Sequence, residues 1–255
     1  MTVGAGFAYL QARLQAHYGT RPDDAAWRAL DGTRGVAAYL AEARKSGLAP
    51  WVASIGRGDD PHSIEQALRR RLHETIGEIT GWAPASWRPA VTWCHWLPDL
   101  PLLGHLLVDG PPPAWLSDDL RLHAYLRETA TQRRAALIEA GGGWLVEGWE
   151  SGAPVAAWLD EWRRHWPRIT GAARRPLEEL FGSTLAHLRD FPAYPIGDAW
   201  TARYRFQHQL SRLFRRHPMQ PAALFSYLAL LCLDIERLRA GLVERAVFAP
   251  VEVKP

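Results

Sequence analysis

The chain has 255 residues, room for one or two domains, and its 30 Lys and Arg against 27 Asp and Glu leave a formal charge of +3, too small to mark a polyanion binder by charge alone. Ala and Leu together number 71 while Val, Ile and Thr number 30, the reverse of what a sheet-built chain needs, since β-branched residues suit strands and Ala and Leu suit helices. The two cysteines, Cys94 and Cys232, exclude a disulfide framework and a zinc site built on cysteine pairs.

In chain order, Pro22 followed by Asp23-Asp24 reads as a helix start, with negative charge at the positive end of the helix dipole. Ser63-Ile64-Glu65-Gln66 has the form of a capping box and opens a helix ending at Gly81, in which Ile64, Leu68, Leu72, Ile76 and Ile79 recur at helical spacing. Val108-Asp109-Gly110-Pro111-Pro112-Pro113 reads as a stiff linker, and Gly141-Gly142-Gly143 as a flexible break between two helices. Pro154, Pro176 and Pro221 each precede a helical pattern, and Glu178-Glu179 places acids after the second of them. Asp198 is positioned to cap a helix from Ala199 to His217, which Pro218 ends. The last helix is apolar all round from Ala222 to Leu233, too short a run to cross a bilayer and therefore expected inside the bundle; the tail from Ala249 is expected to fray. The expected class is all-α, with roughly ten or more helices and no convincing strand.

One internal match stands out. Val36 to Lys45 (VAAYLAEARK) aligns with Val155 to Arg164 (VAAWLDEWRR), and each is followed by a helix opening on an apolar–acid–polar triplet, Ile64-Glu65-Gln66 and Leu177-Glu178-Glu179. Similar units in similar order suggest a duplicated helical module, with residues 1–110 as the first and 111–255 as the second. The competing account is chance likeness between Ala- and Leu-rich amphipathic helices.

A search for chemistry finds little. His73-Glu74 begins like a metalloprotease helix, but Gly77 stands where the second histidine belongs. Cys94-His95, within the run WCHWL, reads as a small buried thiol beside a hydrogen-bonded imidazole. Gly4-Ala5-Gly6 follows no strand, and there is no phosphate-loop lysine motif. Trp158, Trp162 and Trp166, at i, i+4 and i+8, read as a core stripe or helix seam. No catalytic residue, cofactor or metal is expected. The charged feature that stands out is the helix from Ala199 to His217, which carries Arg203, Arg205, Arg212, Arg215 and Arg216 and no acid beside an apolar side of Trp200, Tyr204, Leu213 and Phe214. It suits an acidic protein surface, anionic lipid or nucleic acid; a solvated face in an arginine-rich chain, whose lysines are Lys45 and Lys254, is the plain alternative.

Several segments together resemble the central-rotor subunit family of V- and A-type ATPases, the C-type of archaea and bacteria and the d-type of eukaryotes. Tyr9-Leu10-Gln11-Ala12-Arg13-Leu14 resembles the family's opening Tyr-x-Asn-Ala-Arg helix, with Gln11 for the usual Asn. Gly47-Leu48-Ala49-Pro50-Trp51 is similar to its Tyr-Gly-Pro turn, and Ala67-Leu68-Arg69-Arg70-Arg71-Leu72 to its Ala-Leu-Arg-Arg-x-Leu helix. The stretch from His217-Pro218 to Arg245, running into Asp234-Ile235-Glu236-Arg237-Leu238-Arg239, resembles its C-terminal segment, with Arg237 where Asn is common. The chain departs by being shorter than most members and by having Asp99-Leu100-Pro101-Leu102 where the family has Asp-x-x-Asn. The resemblance implies a funnel or cup of repeated helical modules, a non-catalytic part in ion transport that couples the central stalk to the membrane rotor ring, and a location at the cytoplasmic face of the inner membrane. The implied partners are stalk and ring subunits, with no nucleic acid, and the five arginines are the interface candidates. Rival readings are a nucleic-acid binder using the same arginines, an enzyme with a Trp-lined pocket, and a helical scaffold that keeps the fold without the ATPase role.

Overall fold

A computed structural model describes residues 3–109, 111, 114–119, 121–169, 171–190 and 199–248. Among these residues the regular structure is entirely helical: twelve α-helices and five short 3-10 turns, with no strand. No described helix is long and apolar enough to cross a membrane. The chain divides into two compact units along a line different from residues 108–113. Unit 1 joins Met1–Thr75 to Trp200–Pro255, and unit 2 is Ile76–Ala199. The cause of the discontinuity is the last helix, which packs against the first and third helices from the far end of the sequence. Gly110, Pro112, Pro113, Asp198 and the tail from Ala249 lie outside the described residues.

Unit 1 is built from α1 (Val3–Gly19), α2 (Asp24–Asp31), α3 (Val36–Ala43), the first part of α4 (Pro61–Trp82), α11 (Ala199–Arg216) and α12 (Pro221–Val247). Asp23 caps α2 by accepting from the Ala26 amide at 2.8 Å, so Pro22 stands just outside the helix rather than in its first turn. α4 begins at Pro61, two residues before Ser63. Asp60 accepts from the amides of His62 and Ser63, and the Ser63 hydroxyl donates to Asp60 instead of capping the helix itself. These bonds hold the Asp60 carboxyl below its ordinary pKa. Ile64, Leu68 and Leu72 are buried as the spacing demands, and the helix passes Gly81 by one residue.

The first half of α12 is buried on nearly every side, from Pro221 at its first position through Leu231. Farther along, Gly241 lets α12 approach α3 closely, since a Cβ there would collide with the Tyr39 phenol. Arg245 lies 4.4 Å over the Tyr39 ring and reaches the backbone carbonyls of Leu30, Asp31 and Thr33 around the end of α2. Arg237 stacks 4.5 Å over Trp27 and pairs with Asp31 at 2.7 Å. Arg21, in the turn after α1, grips Asp234 of α12 through both carboxylate oxygens, at 2.6 and 2.9 Å. Burial pushes the Asp234 carboxyl up, and the guanidinium opposes it. Gly47 carries the connection after α3 across the Thr20 carbonyl, where any side chain would strike backbone.

Unit 2 contains the end of α4, then α5 (Arg88–Trp93), α6 (Leu100–Leu107), α7 (Ala130–Glu139), α8 (Gly143–Glu150), α9 (Pro154–Arg164) and α10 (Gly171–Asp190). Leu102, Leu103, Leu106 and Leu107 of α6 meet Leu137 of α7 and Leu145 and Val146 of α8 in one apolar cluster. Thr129 and Gln132 form a reciprocal capping box at the start of α7. Arg133, fully buried, donates to the carbonyls of Leu106, Val108, Arg127 and Glu128, so one guanidinium fork closes the end of α6 and the approach to α7.

Pro154 starts α9 as expected, but Pro176 lies inside α10, which begins at Gly171. Glu178 and Glu179 are therefore mid-helix, and Glu178 answers two arginines rather than a helix dipole. Trp158 and Trp162 are buried and stacked at 6.1 Å. α9 stops at Arg164, so Trp166 falls beyond it and meets Trp162 edge-on at 5.0 Å.

Candidate interaction surface

α11 is amphipathic in a simple way. Ala202, Phe206, Leu210, Leu213 and Phe214 recur at helical spacing and are buried. Phe214 stacks on Tyr18 of α1 at 4.5 Å and meets Tyr227 of α12 at 6.2 Å, so aromatic contacts on two sides fix the helix about its axis.

The five arginines separate into two groups. Arg203 is partly buried and engages both carboxylate oxygens of Glu236 on α12, with its guanidinium 5.0 Å over the Trp200 ring. Its charge is used within unit 1. Arg205, Arg212, Arg215 and Arg216 are exposed, and none pairs with a carboxylate among the described residues. Their spacing of seven, three and one residues winds them along one side of the helix, together with exposed His208, whose ring meets Tyr204 edge-on at 4.3 Å. Trp200 and Tyr204 are about half exposed, at 48% and 49%. They lie toward the start of α11, while Arg215 and Arg216 stand in its last turn, where the helix dipole also favours positive charge. The surface can attract a negatively charged partner and offers two aromatic rings for contact.

The other sequence candidates occupy structural places. Cys94 is buried, and its thiol donates to the Ala90 carbonyl at 3.5 Å. His73 is buried on α4. No group of three or more His, Cys, Asp or Glu residues is gathered to hold a metal ion among the described residues. Asp99, in the segment that departs from the rotor-subunit pattern, is buried and pairs with Arg121 at 3.2 Å.

Two of the interactions that escape the sequence analysis bear on α11. The Arg203–Glu236 pair joins residues on different helices, which composition and periodicity do not connect. Gln11 accepts from the amide of Met219 at 2.9 Å and so holds the turn between α11 and α12, where Met219 takes a left-handed backbone at φ 58°. A Pro-Met-Gln-Pro run without glycine signalled a turn there, but nothing local named its partner. Neither family models nor curated proteins match this sequence.

Proposed function

We propose that the chain is a non-catalytic rotor subunit of a V- or A-type ATPase, coupling the central stalk to the membrane ring for ion transport. The observation that carries this reading is convergence. Two segments that resemble the rotor family, at opposite ends of the sequence, meet in unit 1, where Gln11 of the first accepts from the Met219 amide of the last. The turn after α1 adds to this junction: Gly47 of a third resembling segment passes across its Thr20 carbonyl, and its Arg21 clamps Asp234. A subunit that transmits torque has to resist twisting between its contacts, and an ion pair with two hydrogen bonds together with stacked rings resists it better than apolar packing alone. A funnel or cup, a site at the cytoplasmic face of the inner membrane, and stalk and ring partners belong to the same proposal. The exposed row Arg205, Arg212, Arg215 and Arg216 is its docking surface, and Arg203 supports that row from within.

The test is recovery of the tagged protein from its native membranes in mild detergent, with mass identification of what accompanies it. Stalk and ring subunits are expected. Changing Arg212, Arg215 and Arg216 together to Glu is expected to remove them while leaving the helical circular dichroism and the melting transition intact, because all three side chains are exposed. Unchanged recovery from the triple variant would overturn the docking surface. Recovery of the protein alone, from membranes shown to contain the assembled ATPase, would overturn the rotor role and favour a scaffold that kept the fold. Steeply salt-dependent binding to nucleic acid would turn the same arginines to the rival reading.

A further inference from the structure

A second concentration of arginine lies in unit 2 and is independent of the rotor reading. Where α9 gives way to α10, Arg163, Trp166, Pro167, Arg168, Ile169 and Arg174 line an open cleft of about 320 Å³. Glu178 is the carboxylate that meets them. Its Oε1 atom accepts from Arg163 at 2.6 Å and from Arg174 at 3.3 Å, so a single oxygen bridges two guanidinium groups. Arg168 is exposed and pairs with no carboxylate among the described residues. Trp166 is half-buried, with its indole N–H out of reach of water and without a hydrogen-bond acceptor.

Three cations against one anion leave a local surplus of two positive charges in a concavity with an indole wall. A carboxylate ligand would neutralise half of that surplus, whereas a phosphate monoester carries close to two negative charges at neutral pH and offers three oxygens to guanidinium forks. The volume sits at the small end of ligand sites and suits one compact ester rather than a dinucleotide. We propose that this cleft binds a phosphate monoester, with the phosphate held by Arg163, Arg168 and Arg174 and the organic group against Trp166. Glu178 then acts as an internal competitor, occupying two of the three guanidinium groups in the empty site.

Competition gives the test a sign that a purely structural ion-pair network does not share. Calorimetric titration of the full chain with phenyl phosphate is expected to show saturable binding at one equivalent, and Arg168→Gln to weaken it about tenfold or more, the scale of one charge-assisted hydrogen bond. Glu178→Gln is expected to tighten binding, because it frees both bridged arginines. Its melting transition, recorded alongside, shows whether the variant is folded, and Arg168→Gln, exposed and without a carboxylate partner, stands as the second variant. Phenyl sulfonate, a monoanion of similar shape, should bind more weakly than the phosphate. Flotation with phosphatidylcholine vesicles carrying phosphatidic acid separates the two sources of this chemistry. Capture that Arg168→Gln abolishes, without binding of the soluble ester, would assign a lipid headgroup, and the reverse a soluble metabolite. No heat with phenyl phosphate together with no vesicle capture would overturn the proposal, as would binding equal in wild type and Arg168→Gln.

Discussion

The two segments that match in sequence, α3 in unit 1 and α9 in unit 2, each pack against the helix before them, yet they are secured by different chemistry. Beside α3 the closure is polar and comes from far away in the chain. Tyr39 stands against Gly241, Arg245 covers its ring and reaches the carbonyls of Leu30, Asp31 and Thr33, and Arg237 locks Trp27 to Asp31. Beside α9 the closure is apolar and local. Gly148 of α8 admits Ala157 and Pro154 so closely that an added Cβ would stand 2.6 Å from one and 3.0 Å from the other, and the buried indoles of Trp158 and Trp162 stack together on α9. Trp93 adds a hydrogen bond from its indole to the Trp158 carbonyl at 3.3 Å. The position that carries Ala43 in one copy carries Trp162 in the other. A small residue at that position accompanies closure by a distant helix, and a large one accompanies closure by neighbouring indoles. Like sequences thus take their stability from whatever surrounds them.

The largest expected effect falls on the apolar side. Gly148→Ala forces α8 and α9 apart against Cα and Cβ atoms that cannot swing away, and should cost about 3 kcal/mol. Urea unfolding followed by tryptophan emission measures it, and a loss below about 0.5 kcal/mol would show that the close approach is not needed. On the polar side, Arg245→Leu keeps much of the cover over Tyr39 but leaves the carbonyls of Leu30, Asp31 and Thr33 without that donor. The expected cost is about 2 kcal/mol in the same assay.

The smallest effect is a titration. Burial raises the Tyr39 phenol from 10.0 to about 12, with Arg245 pulling the other way. The folded chain therefore keeps this proton after the unfolded chain has lost it. The contribution to stability is complete below about pH 10 and declines as pH climbs toward the folded value. Ultraviolet titration should find a phenol that ionises late, and Tyr39→Phe should remove that step; a titration curve unchanged by Tyr39→Phe at high pH would contradict the buried contact with Gly241.

Much of the fold was legible because it depends on periodicity. The Ile64–Ile79 stripe, the buried first half of α12 and the starts at Pro154 and Pro221 follow from side-chain spacing and from proline's fixed φ and missing amide donor. Local rules failed where two signals competed. Asp60-Pro61 outranked Ser63 as a helix start, and Pro176 was absorbed into α10 because the helix had already begun at Gly171. The capping box at Thr129 and Gln132 is a local signal of its own, a Thr followed three residues later by Gln. For the interaction surface, the exposed arginines were readable from composition and spacing. The internal use of Arg203 was not, because its partner Glu236 lies 33 residues away on another helix. The same holds for Arg133 and Arg245, whose acceptors are backbone carbonyls that no residue type announces.

The discontinuous build of unit 1 has a consequence for how the protein is made. Unit 2 is a continuous stretch and can close while the ribosome is still at work. Unit 1 cannot. Arg21 emerges long before Asp234, 213 residues later, and Gln11 precedes its donor, the Met219 amide, by 208. Until α12 is made, α1 and α3 thus lack the helix that each of them packs against in the finished chain.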